Sequence, residues 1–359
     1  MKYLLVATTW HLLAVGLLLR VGSSAEPLIE VHLQGDHITG TPLHWSAKRV
    51  TMLTANGVRR DFSPNMVQRF GRLAGELVAS TQQQVWQHLR GEFGTPFSIK
   101  ATKHYLVVYP ADRVDRWSSL LENLYSDFHG FFQSHRHALP RTRFPLVVIV
   151  LPNREALLQT AALSGHADPR KIAGYYCDRS NRIWIYAPPS NSRQLPLSDH
   201  ITLRHEATHQ LAFNTGIHER FGTTPRWLAE GLAMFFEMPQ QPASLRTRDS
   251  QSESALRQTA FLNRGDSPRG RNVPLKLLIT DDSLFQQSPE LAYAQSASLT
   301  RFLIRTHPAG YVGYLKHVAT RPRFTFYAAR TRQTDFSSCF PGNMARLESQ
   351  WRAFSNTPR

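Results

Sequence analysis

Apolar and polar positions alternate in short runs through Leu28–Phe62, which predicts a small β unit. Asn56-Gly57 lies between VTMLT and VRRDF, a strong hairpin signal, and Gly40 and Pro42 punctuate an earlier turn. An SH3-like or similar small barrel or sheet is expected here, an accessory or binding module with no chemistry of its own. From Met66 to Leu89 the pattern leans helical. Ser80-Thr81 caps QQQVWQHL, and the helix ends near Gly91 to Gly94. Strand-like runs follow at Phe97–Thr102 and His104–Tyr109. Asp112–Ser134 then places Val114, Trp117, Leu121, Leu124, Phe128 and Phe131 at three- and four-residue steps, the stripe of an amphipathic helix whose aromatics are core. Phe144–Leu151 is continuously apolar and suits a buried strand. Asn153 caps a short helix through Leu163, and Ile172–Cys177, the turn Asp178–Asn181 and Arg182–Ala187 read as a hairpin.

The second half is helical in pattern. Ile201, Ala207, Leu211 and Ala212 form one apolar side of a helix that Ser198 or Asp199 would cap and Asn214-Thr215-Gly216 would end. Thr224 and Pro225 open another helix over the WLAEG stretch. After Glu237 the pattern breaks at Pro239 and Pro242 and stays polar to Asn272, with one short helix expected at Ser252–Leu262. Pro274–Ile279, Pro289–Thr306, Tyr311–Ala319 and a last segment, Asn343–Phe354, have helical spacing, with Gly310 dividing the middle pair.

Residues 1–25 do not fit this scheme. Lys2 precedes a nearly unbroken apolar run from Tyr3 to Leu19, and Ser23-Ser24-Ala25 supplies small residues. This is the form of a signal peptide cleaved after Ala25, with an uncleaved membrane anchor as the alternative. An exported chain is the expectation: periplasmic, cell-surface or secreted. The whole chain of 359 residues carries a formal charge of +16, and loss of residues 1–25 removes two cations and no acids, leaving +14. Such a balance favours weak contact with anionic polymers, a cell-wall glycan included. The densest basic runs, Arg264–Arg271 and Arg321–Arg332, carry no recognised nucleic-acid motif and read as solvated faces, so specific nucleic-acid binding is not expected. Two cysteines, Cys177 and Cys339, admit either one disulfide or two separate buried thiols.

The chemistry gathers at His205-Glu206-Ala207-Thr208-His209. On a helix, positions i and i+4 share a face, so His205 and His209 can point two imidazoles at one metal ion. Glu206 stands close enough to take a proton from water there without being a ligand. A catalytic zinc site needs a third protein ligand and an open fourth position. Glu230, on the helix of Trp227-Leu228-Ala229-Glu230-Gly231, is the best candidate, because the loop 216–223 is long enough for the chain to reverse.

An HExxH helix followed about twenty residues later by a WxxEG helix resembles the gluzincin metallopeptidases, the peptidase MA-like group in particular. It is also similar to an uncharacterised family of secreted bacterial proteins with the same motif pair. The resemblance implies one Zn2+ ion held by His205, His209 and Glu230, with Glu206 as general base. It implies an α+β, zincin-like, two-lobed catalytic domain: a mixed sheet with the active-site helix, then a mainly helical lobe. It further implies that Gly174, Tyr175 and Tyr176 lie on an edge strand that binds extended substrate, where a glycine would permit close approach of another backbone. Tyr293 is the matching candidate for a hydroxyl that stabilises the oxyanion. The resulting organisation is a signal peptide (1–25), a β module (26–66), a helical connector (67–95), an upper lobe with both motif helices (96–240) and a helical C-terminal lobe (241–359). The expected partner is a peptide or protein substrate, with a membrane involved only if the leader stays attached. The competing expectation is a non-catalytic binding protein on a peptidase-like fold, holding an anionic wall polymer.

Overall fold

The computed structural model describes residues 27–165, 172–187, 195–237, 273–340 and 342–356. The expected leader, the short helix expected at Ser252–Leu262 and the basic run Arg264–Arg271 lie outside the described residues. Two compact units divide the chain. One comprises 1–88 with 178–181, the other 89–177 with 182–359.

The first unit is a five-stranded antiparallel sheet in the order β4-β3-β2-β1-β5. Its strands are β1 (Leu28–Leu33), β2 (Asp36–Trp45), β3 (Val50–Thr54), β4 (Arg59–Phe62) and β5 (Arg69–Leu73). The alternation in β1 is strict. Ile29, Val31 and Leu33 are buried with Ile38, Val50, Met52 and Phe62, while Glu30 and His32 face away from that core. Part of the stretch expected as a helical connector is therefore strand. Arg69–Leu73 pairs with β1, and Phe70 packs on the core. Five residues with a central glycine carry almost no periodic signal, and the need of β1 for a second hydrogen-bonded neighbour decides their conformation. Helix α1 (Gln82–Phe93) begins only afterwards; Thr81 Oγ1 accepts from the Gln84 amide at 3.2 Å, and Gln84 Oε1 accepts from the Thr81 amide at 2.8 Å.

The second unit is α+β, as expected. Its sheet is mixed, in the order β6-β7-β8-β10-β9, with β6 (Phe97–Ala101), β7 (Tyr105–Pro110), β8 (Leu146–Leu151), β9 (Gly174–Cys177) and β10 (Arg182–Tyr186). The central strand β8 is buried at every position and runs parallel to both neighbours, so its apolar run is continuous rather than alternating. Helix α2 (Ser118–Ser134) starts later than its apolar pattern suggested. The Asp115 carboxylate accepts from the Trp117 and Ser118 amides at 3.0 and 3.1 Å, and Val114 lies before this cap, exposed. Helix α3 (Arg154–Leu163) opens at Asn153, whose side chain accepts from the Ala156 amide at 2.9 Å.

Helices α4 (Leu197–Asn214) and α5 (Arg226–Phe236) carry the two motifs. Neither has a side-chain cap. Pro196 and Pro225 occupy the N-cap positions where Ser198 or Asp199, and Thr224, were expected, and the Pro196 carbonyl takes the Asp199 and His200 amides. Gly216, at φ 75°, ends the first. The remaining α-helices among the described residues are α6 (Leu275–Thr280), α7 (Leu284–Gln287), α8 (Pro289–Thr306), α9 (Pro308–Ala319), α10 (Ala329–Cys339) and α11 (Met344–Asn356). The division between α8 and α9 falls at His307, because Pro308 restarts the helix. Gly310 lies inside α9, where a Cβ would stand 2.8 Å from the Cys339 carbonyl oxygen. The run Arg321–Arg332 is not wholly a solvated face. Arg332 is buried, with Nη2 donating to Asp282 at 2.8 Å and Nε to the Tyr327 carbonyl at 3.1 Å. Cys177 and Cys339 are both free thiols, which removes the disulfide. No helix among the described residues is long and apolar enough to cross a membrane.

Candidate metal centre

Helix α4 is seated before its histidines are. Leu203, Ala207 and Leu211, four residues apart, are fully buried and face the core. Gln210 Nε2 donates to the Val147 carbonyl of β8 at 3.1 Å, fixing the helix to the sheet. Arg204, almost wholly buried, donates through Nη2 to Asp127 of α2 at 2.8 Å and through Nε to the Phe236 carbonyl at the end of α5 at 2.7 Å. Burial pulls the Arg204 pKa down, opposed by its bond to Asp127. A charge buried this deeply persists only because these partners compensate its desolvation.

Once α4 and α5 are set, three donor atoms converge. His205 Nε2 lies 3.2 Å from His209 Nε2 and 3.2 Å from Glu230 Oε2, and His209 Nε2 lies 3.5 Å from Glu230 Oε2. The edge of a tetrahedron with metal–ligand bonds of about 2.0–2.1 Å is about 3.3 Å. The triangle thus has the dimensions of three ligands around one ion. The three side chains are 14–15% exposed, so the site opens to solvent on one side.

The donor chemistry fits as well. Glu237 Oε1 lies 3.0 Å from His205 Nδ1 and holds that nitrogen as a donor, which leaves the lone pair on Nε2 facing the other two acceptors. Lone pairs and a carboxylate pointed at one spot repel unless a cation sits between them. Where no metal ion sits, a proton takes the cation's place. Burial alone would lower the His205 pKa, but bonds to Glu230 and Glu237 outweigh it and raise it well above the usual value. Glu230 moves the other way: burial would raise its pKa, and its bonds to the two histidines pull it far down.

Glu206 points at the edge strand. Its Oε2 accepts the Tyr176 amide of β9 at 2.8 Å. Burial raises its pKa, with the two histidines and the Tyr176 amide opposing and Glu230 adding to the rise. Strand β9 is the edge of the sheet, the position that the resemblance implied for this stretch. The three residues expected on it differ in character. Gly174 has a packing reason: a Cβ there would lie 2.8 Å from Ile185 Cγ2 of β10 and 2.9 Å from Thr202 Cγ2 of α4, so both the neighbouring strand and the motif helix crowd it. Tyr175 turns inward, buried, with its hydroxyl 3.0 Å from Ser164 Oγ. Tyr176 is half-buried and stacks on Phe213 with ring centroids 5.7 Å apart.

Tyr293 reaches the same place from α8. Gly231 makes this possible, because a Cβ there would collide with Thr300 Oγ1 and stand 2.8 Å from the Ser296 carbonyl oxygen, so only glycine lets α8 lie this close to α5. Burial and the Glu230 charge push the Tyr293 pKa up to about 12, and a hydrogen bond from Arg226 opposes them. Its hydroxyl therefore keeps its proton across the working range.

Sequence reasoning missed Glu237, Arg226 and His218. Glu237 and Arg226 were discoverable, since they lie seven residues after and four before Glu230, on one helical face. Arg226 Nε stands 3.7 Å from Glu230 Oε1, with its guanidinium over the Phe285 ring at 4.6 Å. His218 is buried in the loop between the two motif helices, its ring beside that of Phe213 with centroids 5.6 Å apart. Nothing local in the sequence marks it.

A family model described as a protein of unknown function (DUF1570) matches residues 199–325, which contain both motifs. No curated protein matches the chain. Solved structures similar to it include an M1 zinc metallopeptidase from Deinococcus radiodurans, 14% identical with a TM-score of 0.35, covering 74% of this chain and 52% of that one. Another is the M60 catalytic domain with two CBM51 domains of ZmpB from Clostridium perfringens, 12% identical with a TM-score of 0.39, covering 94% of this chain and 39% of that one. The chain thus spans about half the length of the first of these and less of the second.

Proposed function

We propose that the chain is an exported zinc-dependent peptidase of the gluzincin kind. The observation that carries this reading is the triangle of His205 Nε2, His209 Nε2 and Glu230 Oε2, with sides of 3.2, 3.2 and 3.5 Å. His205, His209 and Glu230 would hold one zinc ion. Bound there, zinc supplies Lewis acidity that lowers the pKa of water toward neutrality and polarises a carbonyl.

The chain's own groups do the rest. Glu206 takes a proton from the attacking water and passes it to the leaving amine. Its raised pKa suits a base that must also give the proton back. Tyr293, protonated, donates its hydroxyl to the oxygen that gains charge at the tetrahedral stage. The edge of β9 pairs with extended substrate backbone, and the Tyr176 amide already bonded to Glu206 sets that strand beside the reacting carbonyl. Glu237 orients His205. Peptide or protein is the substrate class, and weak contact with an anionic wall polymer follows from the net charge of +14 left when residues 1–25 are removed.

The test is metal analysis of the purified chain together with cleavage of casein and a peptide library, with and without chelator. One zinc per centre and chelator-sensitive cleavage are expected. Glu206→Gln should retain the metal and lose turnover by about 100-fold or more, whereas His205→Ala should lose both. Full activity in Glu206→Gln rejects the mechanism. Zinc bound with no cleavage of any polymer favours a binding protein on the same fold.

A further inference from the structure

We infer that Glu30, His32 and His37 form a second divalent transition-metal site, on the solvent face of the N-terminal sheet and independent of the centre described above. Strand geometry assembles the set. Glu30 and His32 are two apart on β1, so both leave the face opposite the buried Ile29, Val31 and Leu33. His37 on β2 is the direct cross-strand partner of His32. The register is fixed because Leu33 pairs with Asp36, leaving Gln34-Gly35 as a two-residue turn with Gly35 at φ 73°. A slip by one position would send His37 to the core side, which the burial of Ile38 forbids.

The side chains are already gathered. The His32 and His37 rings stand 4.4 Å apart at 36°, and His37 Nε2 lies 3.4 Å from Glu30 Oε2, close to a tetrahedral ligand edge. One ligand atom from each residue falls within 4.8 Å of the other two. His37 is exposed and Glu30 and His32 are half-buried, and small χ rotations of the three close such a gap. The third strand contributes space. Gly71 of β5 pairs with Glu30, and a Cβ at that glycine would lie 2.7 Å from Glu30 Oε1. The missing side chain at 71 is what lets the Glu30 carboxylate lie along the sheet beside the imidazoles.

Two imidazoles and one carboxylate suit Zn2+, Ni2+ and above all Cu2+, and do not suit Mg2+ or Ca2+, which take oxygen shells. Three ligands on an open face leave positions for water, so the site binds more weakly than the half-buried centre. An isolated Glu30–His37 surface pair would contribute little to stability and would not need His32.

The experiment uses the full chain, free of any affinity tag and stripped of metal, at micromolar free zinc. The unsubstituted chain should bind two equivalents in equilibrium dialysis, and the double variant His32→Gln, His37→Gln should bind one. In the His205→Ala variant, one equivalent of Cu2+ should give an electron paramagnetic resonance spectrum with coupling to two nitrogens. Glu30→Gln should weaken that copper without abolishing it. Should the motif centre fail to bind, the unsubstituted chain still takes one ion and loses it in the double variant, so the two readings fail separately. Equal zinc uptake by the unsubstituted chain and the double variant, or copper without two-nitrogen coupling in His205→Ala, overturns the proposal. All three residues are on the solvent face, so a fold defect is not expected, and circular dichroism checks it.

Discussion

Glu237 Oε1 stands 3.0 Å from Nδ1 of His205, so the residue that closes α5 orients a histidine carried by α4. Replacing Glu237 with Ala frees the ring to rotate and removes the acceptor that keeps the lone pair on Nε2. Zinc affinity should fall by about 10- to 100-fold while binding persists. Competition against a chromophoric chelator measures this; unchanged affinity would show that the ring is held by packing alone.

Tyr293 lies beside Glu230 and Arg226 with its pKa pushed up to about 12, so it is a donor throughout the neutral range. Tyr293→Phe removes only the hydroxyl. The expected result is a kcat lower by about 100-fold with KM little changed, since the interaction forms chiefly in the transition state. The pH profile below 9 or so should keep its shape, because this phenol does not titrate there. A change confined to KM would make Tyr293 a ground-state contact instead.

Gly231→Ala sets two effects against each other. A helical alanine is favoured over glycine by about 1 kcal/mol, but here its methyl group meets Thr300 Oγ1 and the Ser296 carbonyl. Overpacking of this kind costs about 1–3 kcal/mol, and the backbone carbonyl cannot step aside as a flexible side chain would. Urea unfolding should therefore show net destabilisation, accompanied by lower activity as α8 and Tyr293 move away. A more stable variant would mean that α8 slides without cost.

His218 supplies a pH dependence with a definite sign. Burial, with His209 nearby, pulls its pKa down to about 3 from 6.5. Between those values the unfolded chain binds a proton that the folded chain refuses. The contribution is whole above the unfolded pKa and is lost as pH falls toward the folded one, with a slope of up to about 1.4 kcal/mol per pH unit. His218→Leu, close in volume and unable to titrate, should flatten this loss. The check is the difference in urea midpoint between the two chains at pH 7 and pH 5, both with chelator present. An identical pH slope would assign the acid sensitivity to other groups.

Much of this chain was legible in one dimension, wherever local physics and tertiary demand agree. The spacing of His205 and His209 follows from helical pitch, and the buried strand at Leu146–Leu151 follows from its unbroken apolar run. The Asn153 cap and the Asn56-Gly57 turn are backbone chemistry that a few residues specify alone. Arg69–Leu73 was not legible, because its strand conformation is imposed by a partner strand far away in the sequence. Tyr175 and Tyr176 are neighbours of one residue type, yet strand alternation sends one inward and leaves the other beside Phe213.

The sequence by itself determined which residues could ligate and which turn of which helix bears them, because those properties depend on side-chain type and a 3.6-residue period. Only the tertiary structure decided that the three donor atoms form a triangle of ligand dimensions, that Glu237 orients one of them, and that Gly231 admits Tyr293. These are distances between segments, set by how whole faces pack. Periodicity along a chain carries no information about the spacing between two of its helices.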